Sequence, residues 1–140
     1  MEMTIEDLEL KRKSLYRKLE EVGDIRRGTI SVNYRKCGKK NCACAKEGHP
    51  GHGPQYLWNT TIKGKSYAKN LRLGPELKKC MDEIANHQSF FKLCDEIVVV
   101  NESICNLRPV SEISDKNELE ELKKKLQRQF RKRYKKKLAG

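Results

Sequence analysis

A short stretch rich in glycine and proline, between Arg35 and Pro54, holds three of the chain's six cysteines and two of its three histidines. It reads RKCGKKNCACAKEGHPGHGP, a composition that favours irregular loop over helix or strand. A loop of this length needs internal support, which clustered thiolates and imidazoles supply when they surround one metal ion. The sequence therefore predicts a small fold that is stabilised by a bound metal ion.

The spacing of the cysteines and histidines suggests which residues bind the metal. The predicted zinc ligands are Cys37, Cys42, Cys44 and His52. Gly38 lets backbone N–H groups approach the sulfur before it, as in a zinc knuckle. His49 is the alternative fourth ligand, although Pro50 after it stiffens its backbone. The competing interpretation is that these are ordinary reduced cysteines in a flexible loop.

Local patterns predict an α+β fold with a three-stranded antiparallel sheet that holds the zinc loop. Thr4 is the expected N-cap of the first helix, and Lys63-Gly64 the expected turn between the second and third strands. An apolar sheet face is expected from Ile30, Val32, Leu57, Tyr67 and Leu71. The predicted divisions are an N-terminal amphipathic helix over 1–24, a zinc-binding β domain over 25–74, a long helix over 75–107 and a basic helical tail over 115–140.

The long helix carries an apolar stripe with a seven-residue repeat. Its members are Leu77, Ile84, Phe91, Val98 and Cys105. This repeat is typical of a coiled-coil or helical-hairpin seam, through which the chain would pack on its first helix, bind a protein partner or form a homodimer. Cys80 and Cys94 lie beside the stripe, and we expect all three helix cysteines to pack as small hydrophobes. His87 is interpreted as a core or interface residue.

The net charge of +12 is concentrated in two segments. Residues 25–73 hold eleven basic groups and one acidic group, and residues 123–140 hold ten basic groups and none that is acidic. Such segments favour an anionic partner, DNA or RNA, although a solvated surface is the simpler alternative. The predicted nucleic-acid contacts are Arg26, Arg27, Arg35, Lys36, Lys39, Lys40, Tyr56, Trp58, Lys65, Lys69, Arg128, Arg131, Lys132 and Arg133.

Several classes of function are disfavoured. No HExxH, phosphate-loop, GxSxG or deaminase motif is present, so no catalytic residue is assigned and we expect no enzyme. No apolar run is long enough to cross a membrane and the N-terminus lacks an apolar signal region, so a cytoplasmic location is expected. The basic tail is a phosphate-binding arm, a packing helix or a solubilising segment. The leading interpretation is a nucleic-acid-binding accessory protein, and the alternative is a protein-interaction adaptor.

The stretch from Gly28 to Gly74 resembles a family of small, basic prokaryotic domains of unknown function. Members often read Arg-x-Cys-Gly-Lys-x-x-Cys-x-Cys, then His-Gly-Pro, an aromatic strand, a Gly-Lys turn and a basic strand. The matching residues here are Arg35, Cys37, Gly38, Lys39, Cys42, Cys44, His52, Gly53, Pro54, Tyr56, Trp58, Gly64, Lys65 and Lys69. The resemblance supports the ligand set and, because such domains often accompany transposases, implies work on DNA or RNA in a mobile-element complex.

Overall fold

The computed structural model describes residues 2–139, and the side chains of residues 2–138. The chain forms two compact units, Met1–Leu107 and Arg108–Gly140. The elements of the first unit are α1 (Ile5–Glu20), β1 (Thr29–Arg35), a 3-10 turn (Ala43–Ala45), β2 (His52–Ile62), β3 (Lys65–Leu71) and α2 (Pro75–Leu107). The second unit contains α3 (Lys116–Ala139). The predicted α+β class, with a three-stranded sheet between an N-terminal helix and long C-terminal helices, is confirmed.

The first helix begins where its cap predicts. The Thr4 hydroxyl accepts a hydrogen bond from the Asp7 backbone N–H, and the Asp7 carboxylate accepts one from the Thr4 N–H, both at 3.2 Å. This reciprocal pair satisfies two N–H groups that the first turn of a helix leaves without partners.

The sheet is an antiparallel meander in the order β1-β2-β3. Lys63 and Gly64 connect β2 to β3 with φ angles of 51° and 78°. Two positive φ values characterise the two-residue turn whose twist matches that of the strands on either side, so the predicted turn is confirmed. The second strand begins at His52, which pairs with Arg35 of β1.

The strand register corrects the predicted apolar face. Val32 pairs with Tyr56, which in turn pairs with Leu71, so these three side chains share one face. Leu57 pairs with Ser31 and points to the other side, because successive side chains of a strand alternate. Its inclusion in the apolar face was wrong.

The apolar core of the first unit lies between α1 and α2. Its buried members are Leu8, Leu15, Ile97, Val100 and Ile104. The expected packing of the first helix on the long helix is therefore confirmed, but through a different stripe from the predicted one. Phe91 is 55% exposed and Val98 is 52% exposed, since the chain directs α1 to the neighbouring face of α2. Among the helix cysteines, Cys80 is buried, Cys94 is half-buried and Cys105 is exposed, so core packing was wrong for Cys105.

The second unit is built around a single capped helix. The Asp115 carboxylate accepts hydrogen bonds from the backbone N–H groups of Asn117, at 2.8 Å, and Glu118, at 3.4 Å. The apolar side chains of α3 recur every four residues, with Leu126, Phe130 and Tyr134 all exposed. Within the described residues, neither this helix nor any other is long and apolar enough to cross a membrane.

Candidate metal centre

The four predicted ligands come together at one end of the sheet. One donor atom from each of Cys37, Cys42, Cys44 and His52 lies within 4.8 Å of all the others. The strand ends create this meeting point, because β1 ends at Arg35 and β2 begins at His52, its cross-strand partner. The loop between these strands then folds back and brings the three thiols to the imidazole.

The distances within this group suit a tetrahedral metal ion. The sulfurs of Cys37 and Cys44 are 3.5 Å apart, and the Cys42 sulfur lies 3.1 Å from Nε2 of His52. Sulfur and nitrogen ligands about 2.0–2.3 Å from a tetrahedral zinc ion lie about 3.5–3.8 Å from one another. The four residues are therefore close enough to hold one metal ion, with small adjustments of the donor positions.

The two histidines of the loop have different surroundings. His52 directs Nε2 to the Cys42 sulfur, whereas Nδ1 of His49 accepts a hydrogen bond from the Gly51 backbone N–H at 3.0 Å. His49 lies outside the group of four donors. Of the two alternatives that the sequence left open, the geometry favours His52.

Gly51 allows the end of the loop to lie directly against β1. It is buried with φ +107°, and a Cβ atom built on it would lie 2.7–2.9 Å from backbone atoms of Arg35. Any other residue would therefore push the two chain segments apart, next to His52. This role of Gly51 was not predicted from the sequence, although the glycines on either side of His52 were the available signal.

The pKa values of the Cys37 and Cys44 thiols shift in opposite directions. A hydrogen bond from the Lys39 backbone N–H, followed by one from the Cys44 thiol, lowers the pKa of Cys37. The Cys37 backbone N–H donates to the Cys44 sulfur and favours its thiolate, but desolvation and the neighbouring thiols outweigh this effect and raise the pKa of Cys44. These opposite shifts favour the thiolate form at Cys37 and the neutral thiol at Cys44.

The metal loop, which is the segment 36–51 between β1 and β2, and the adjoining end of β1 carry cations that are exposed to solvent. Arg35, Lys36, Lys39 and Lys40 are all exposed, and they surround the first cysteine in the sequence. Glu47 is the single acidic residue in the whole of residues 25–73. Like charges crowded in this way favour a site for an anion on the surface of the loop.

Arg26 and Trp58, two of the predicted contact residues, are engaged in the scaffold. The Arg26 guanidinium donates to the Glu83 carboxylate at 2.9 Å and lies 4.6 Å from the centre of the Trp58 ring. The Trp58 indole N–H donates to the Arg27 carbonyl at 2.7 Å. One face of the indole is therefore covered by a cation that already has a partner.

The other predicted contacts lie in several places. The Arg27, Lys65 and Lys69 side chains are exposed, whereas Tyr56 is half-buried. The predicted contacts on α3, which are Arg128, Arg131, Lys132 and Arg133, are all exposed. Of the predicted contacts, Arg35, Lys36, Lys39 and Lys40 lie next to Cys37 of the candidate metal centre along the chain.

A protein family described as a domain of unknown function, DUF6788, matches residues 5–82, which is more than half of the chain. The chain belongs to the DUF6788 family. The DUF6788 match contains α1, the whole sheet, all four donors and the first turns of α2. It is wider than the segment Gly28–Gly74 on which the resemblance rested, and it stops before the basic α3. No curated protein and no solved structure matches the chain.

Proposed function

We propose that this protein is a zinc-stabilised, non-enzymatic accessory protein that binds nucleic acid. The observation that carries the proposal is the coincidence of a Cys3His donor group with exposed cations on the same loop, Lys36, Lys39 and Lys40, and with exposed Arg35 at the adjoining end of β1. Three thiolates and an imidazole form a soft donor set, which suits zinc better than magnesium or calcium. The metal loop joins β1 to β2, so a metal bound there would fix the positions of the cations at that end of the sheet.

The proposed role of zinc is structural. Four protein ligands complete the preferred coordination of zinc and leave no position for the water that a catalytic site activates. Zinc would therefore order the loop, while the surrounding lysines and arginine contact the ligand. The resemblance to domains that accompany transposases supports a place in a mobile-element or nucleoprotein complex.

Exposed cations on the loop suit the phosphate backbone of DNA or RNA. Each phosphate neutralised by Lys or Arg releases condensed counterions, so affinity falls steeply as salt rises. Lys65 and Lys69 of β3 carry further exposed positive charge, but Lys65 pairs with Ile62 at the end of β2 far from the metal loop. The arginines and lysines of α3 would supply additional non-specific attraction. Arg26 and Trp58 support the sheet in this scheme and take no part in binding.

Fluorescence anisotropy with single- and double-stranded DNA and RNA, over a range of salt concentrations, tests the proposal. The triple variant R35A/K39A/K40A should lose most of its affinity and reduce the salt slope on duplex DNA by about 0.9 for each phosphate contact removed. The matched control K11A/K13A/K18A removes the same charge from exposed positions of α1 and should change the slope little. Equal effects of the two triple variants, or an affinity independent of salt, would refute binding by the loop.

The zinc part of the proposal has a separate test. Cys42→Ser should lose one bound zinc, measured by native mass spectrometry, and should weaken nucleic-acid binding because the loop loses its order. Retention of full affinity after loss of zinc would separate the metal from the binding surface.

A second candidate function is that of a protein-interaction adaptor. The specific observation in its favour is the exposure of Phe91 and Val98 on α2. Exposed apolar side chains repeated on one helix face often mark a protein contact.

A further inference from the structure

One face of α2 keeps an apolar stripe that α1 does not cover. Phe91 and Val98 are more than half exposed, and Ile84 is partly exposed. A spacing of seven residues on a helix with 3.6 residues per turn places all three within a narrow band. The buried residues Ile97 and Val100 lie on a different face, against α1.

From the arrangement of this stripe we infer that it binds the same stripe of a second copy of the chain, with the two α2 helices antiparallel and their midpoint at Phe91. The stripe is symmetric about Phe91, because Ile84 precedes it by seven residues and Val98 follows it by seven. Antiparallel pairing about that midpoint places Ile84 of one copy opposite Val98 of the other and Phe91 opposite itself. A two-fold axis requires this kind of self-complementary surface.

The charges beside the stripe select the antiparallel orientation. Asp95 lies one helical turn beyond Phe91 on the edge of the stripe. A parallel pair in register would place each residue beside its own copy and bring the two Asp95 carboxylates together. The antiparallel pair instead places Asp95 opposite His87, a residue that can carry positive charge.

The pairing has a consequence for nucleic-acid binding, which rests on the proposed function. Trp58 and Leu71 of the sheet line one cleft with Cys80 of α2, so each sheet lies near the N-terminal end of its long helix. In the antiparallel pair the two Cys80 residues are offset along the helix axis by 22 residues, which is about 33 Å at 1.5 Å per residue. The two sheets are therefore offset along the helix axis by a distance close to one turn of B-DNA, about 34–36 Å, which would let one dimer contact successive turns of one duplex.

Sedimentation velocity over a range of protein concentrations tests the dimer directly. Wild-type protein should sediment as a dimer, and Val98→Asp should sediment as a monomer, because it buries a carboxylate in the seam. Val99→Asp is the matched control: Val99 is 63% exposed and has the same side chain, but lies about 100° around the helix. A monomeric wild type, or equal loss of dimer in both variants, would overturn the inference.

Cross-linking tests the orientation. In a C94A/C105A background with zinc bound, I84C mixed with V98C should form a disulfide-linked heterodimer under mild oxidation, and each variant alone should not. A parallel pair would give the opposite pattern, in which each variant cross-links to itself, and would overturn the antiparallel arrangement.

Duplex length separates this inference from the proposed function. Wild-type affinity should rise sharply between duplexes of about 10 and about 21 base pairs, because the second loop then binds with high effective concentration. The monomeric V98D variant should lack this rise while keeping the affinity for the shorter duplex. Absence of any binding by either protein would refute the proposed function, whereas equal length dependence in both would refute the dimer's role.

Discussion

Arg26 binds Glu83 through both its backbone and its side chain. The Arg26 backbone N–H donates to the Glu83 carbonyl at 3.1 Å, and the guanidinium Nε donates to the Glu83 carboxylate at 2.9 Å. The Glu83 side chain is only 11% exposed, and its second carboxylate oxygen accepts from Lys79 at 2.7 Å. These bonds join the segment before β1 to a helix 57 residues later in the chain, and so help to orient the sheet on α2.

Glu83→Gln should reduce stability in a pH-dependent way. Hydrogen bonds from Lys79 and then Arg26 hold the pKa of Glu83 below its ordinary value of 4.5. A lowered folded-state pKa adds stability above the unfolded-state pKa, which is lost as pH falls through the folded value. Urea unfolding should therefore show wild type more stable than E83Q at about pH 6.5, with the difference disappearing well below about pH 4.

The variant Glu96→Gln controls for the loss of one acidic group from α2, since Glu96 is exposed. It should track wild type at both pH values. An E83Q deficit of the same size at both pH values would contradict a contribution from the ionised carboxylate.

Gly51→Ala should damage the metal centre far more than Gly48→Ala. Both glycines have positive φ, +107° and +86°, so both substitutions strain the backbone. Only a Cβ at Gly51 meets neighbouring atoms, the Arg35 backbone at 2.7 Å, whereas a Cβ at Gly48 meets nothing within 4 Å. Competition with a chromophoric zinc chelator should show a fall in zinc affinity of at least about tenfold for G51A, the size typical of lost ligand support. Equal losses would show that backbone strain alone is responsible.

Substitution of the two loop histidines should have different effects on zinc. His52→Ala removes a nitrogen donor that lies 3.1 Å from the Cys42 sulfur, so a stable one-zinc complex should be lost. His49→Ala removes only an acceptor for the Gly51 N–H, and should keep the zinc stoichiometry of one. Native mass spectrometry measures the number of zinc ions bound by each variant. Zinc loss from H49A with zinc retained by H52A would reverse the ligand assignment.

Leu15→Ala should destabilise the first unit by about 2–5 kcal/mol, the usual cost of truncating a buried leucine. Leu15 is 4% exposed in the core between α1 and α2, whereas Leu10 on the same helix is 68% exposed. Leu10→Ala should therefore change the free energy of unfolding by less than about 0.5 kcal/mol. Urea denaturation followed by circular dichroism measures both. Similar values for the two variants would place the core elsewhere on α1.

Much of the candidate site was accessible from the sequence because its signals are local. Cys37, Cys42 and Cys44 lie close enough along the chain for their spacing to predict that they bind one metal ion. The Lys63-Gly64 turn depends only on neighbouring backbone angles. The choice of His52 over His49 was different. The sequence favoured His52 but left His49 open, and the pairing of β1 with β2, which brings His52 opposite Arg35, supports His52.

Local chemistry along the chain was enough to determine that this protein has a capped first helix, a small sheet, a cysteine-rich loop with a cationic surface and a long helix. Its three-dimensional packing decided which side chains serve the scaffold and which remain free. Arg26 and Arg35 are both arginines of the same basic segment of the sequence, yet Arg26 binds Glu83 and Arg35 is exposed. Likewise Val98 belonged to the predicted seam of the long helix, but α1 packs on Val100 and leaves Val98 exposed. Periodicity identifies the apolar faces of a helix, whereas contacts between distant segments select the face that is buried.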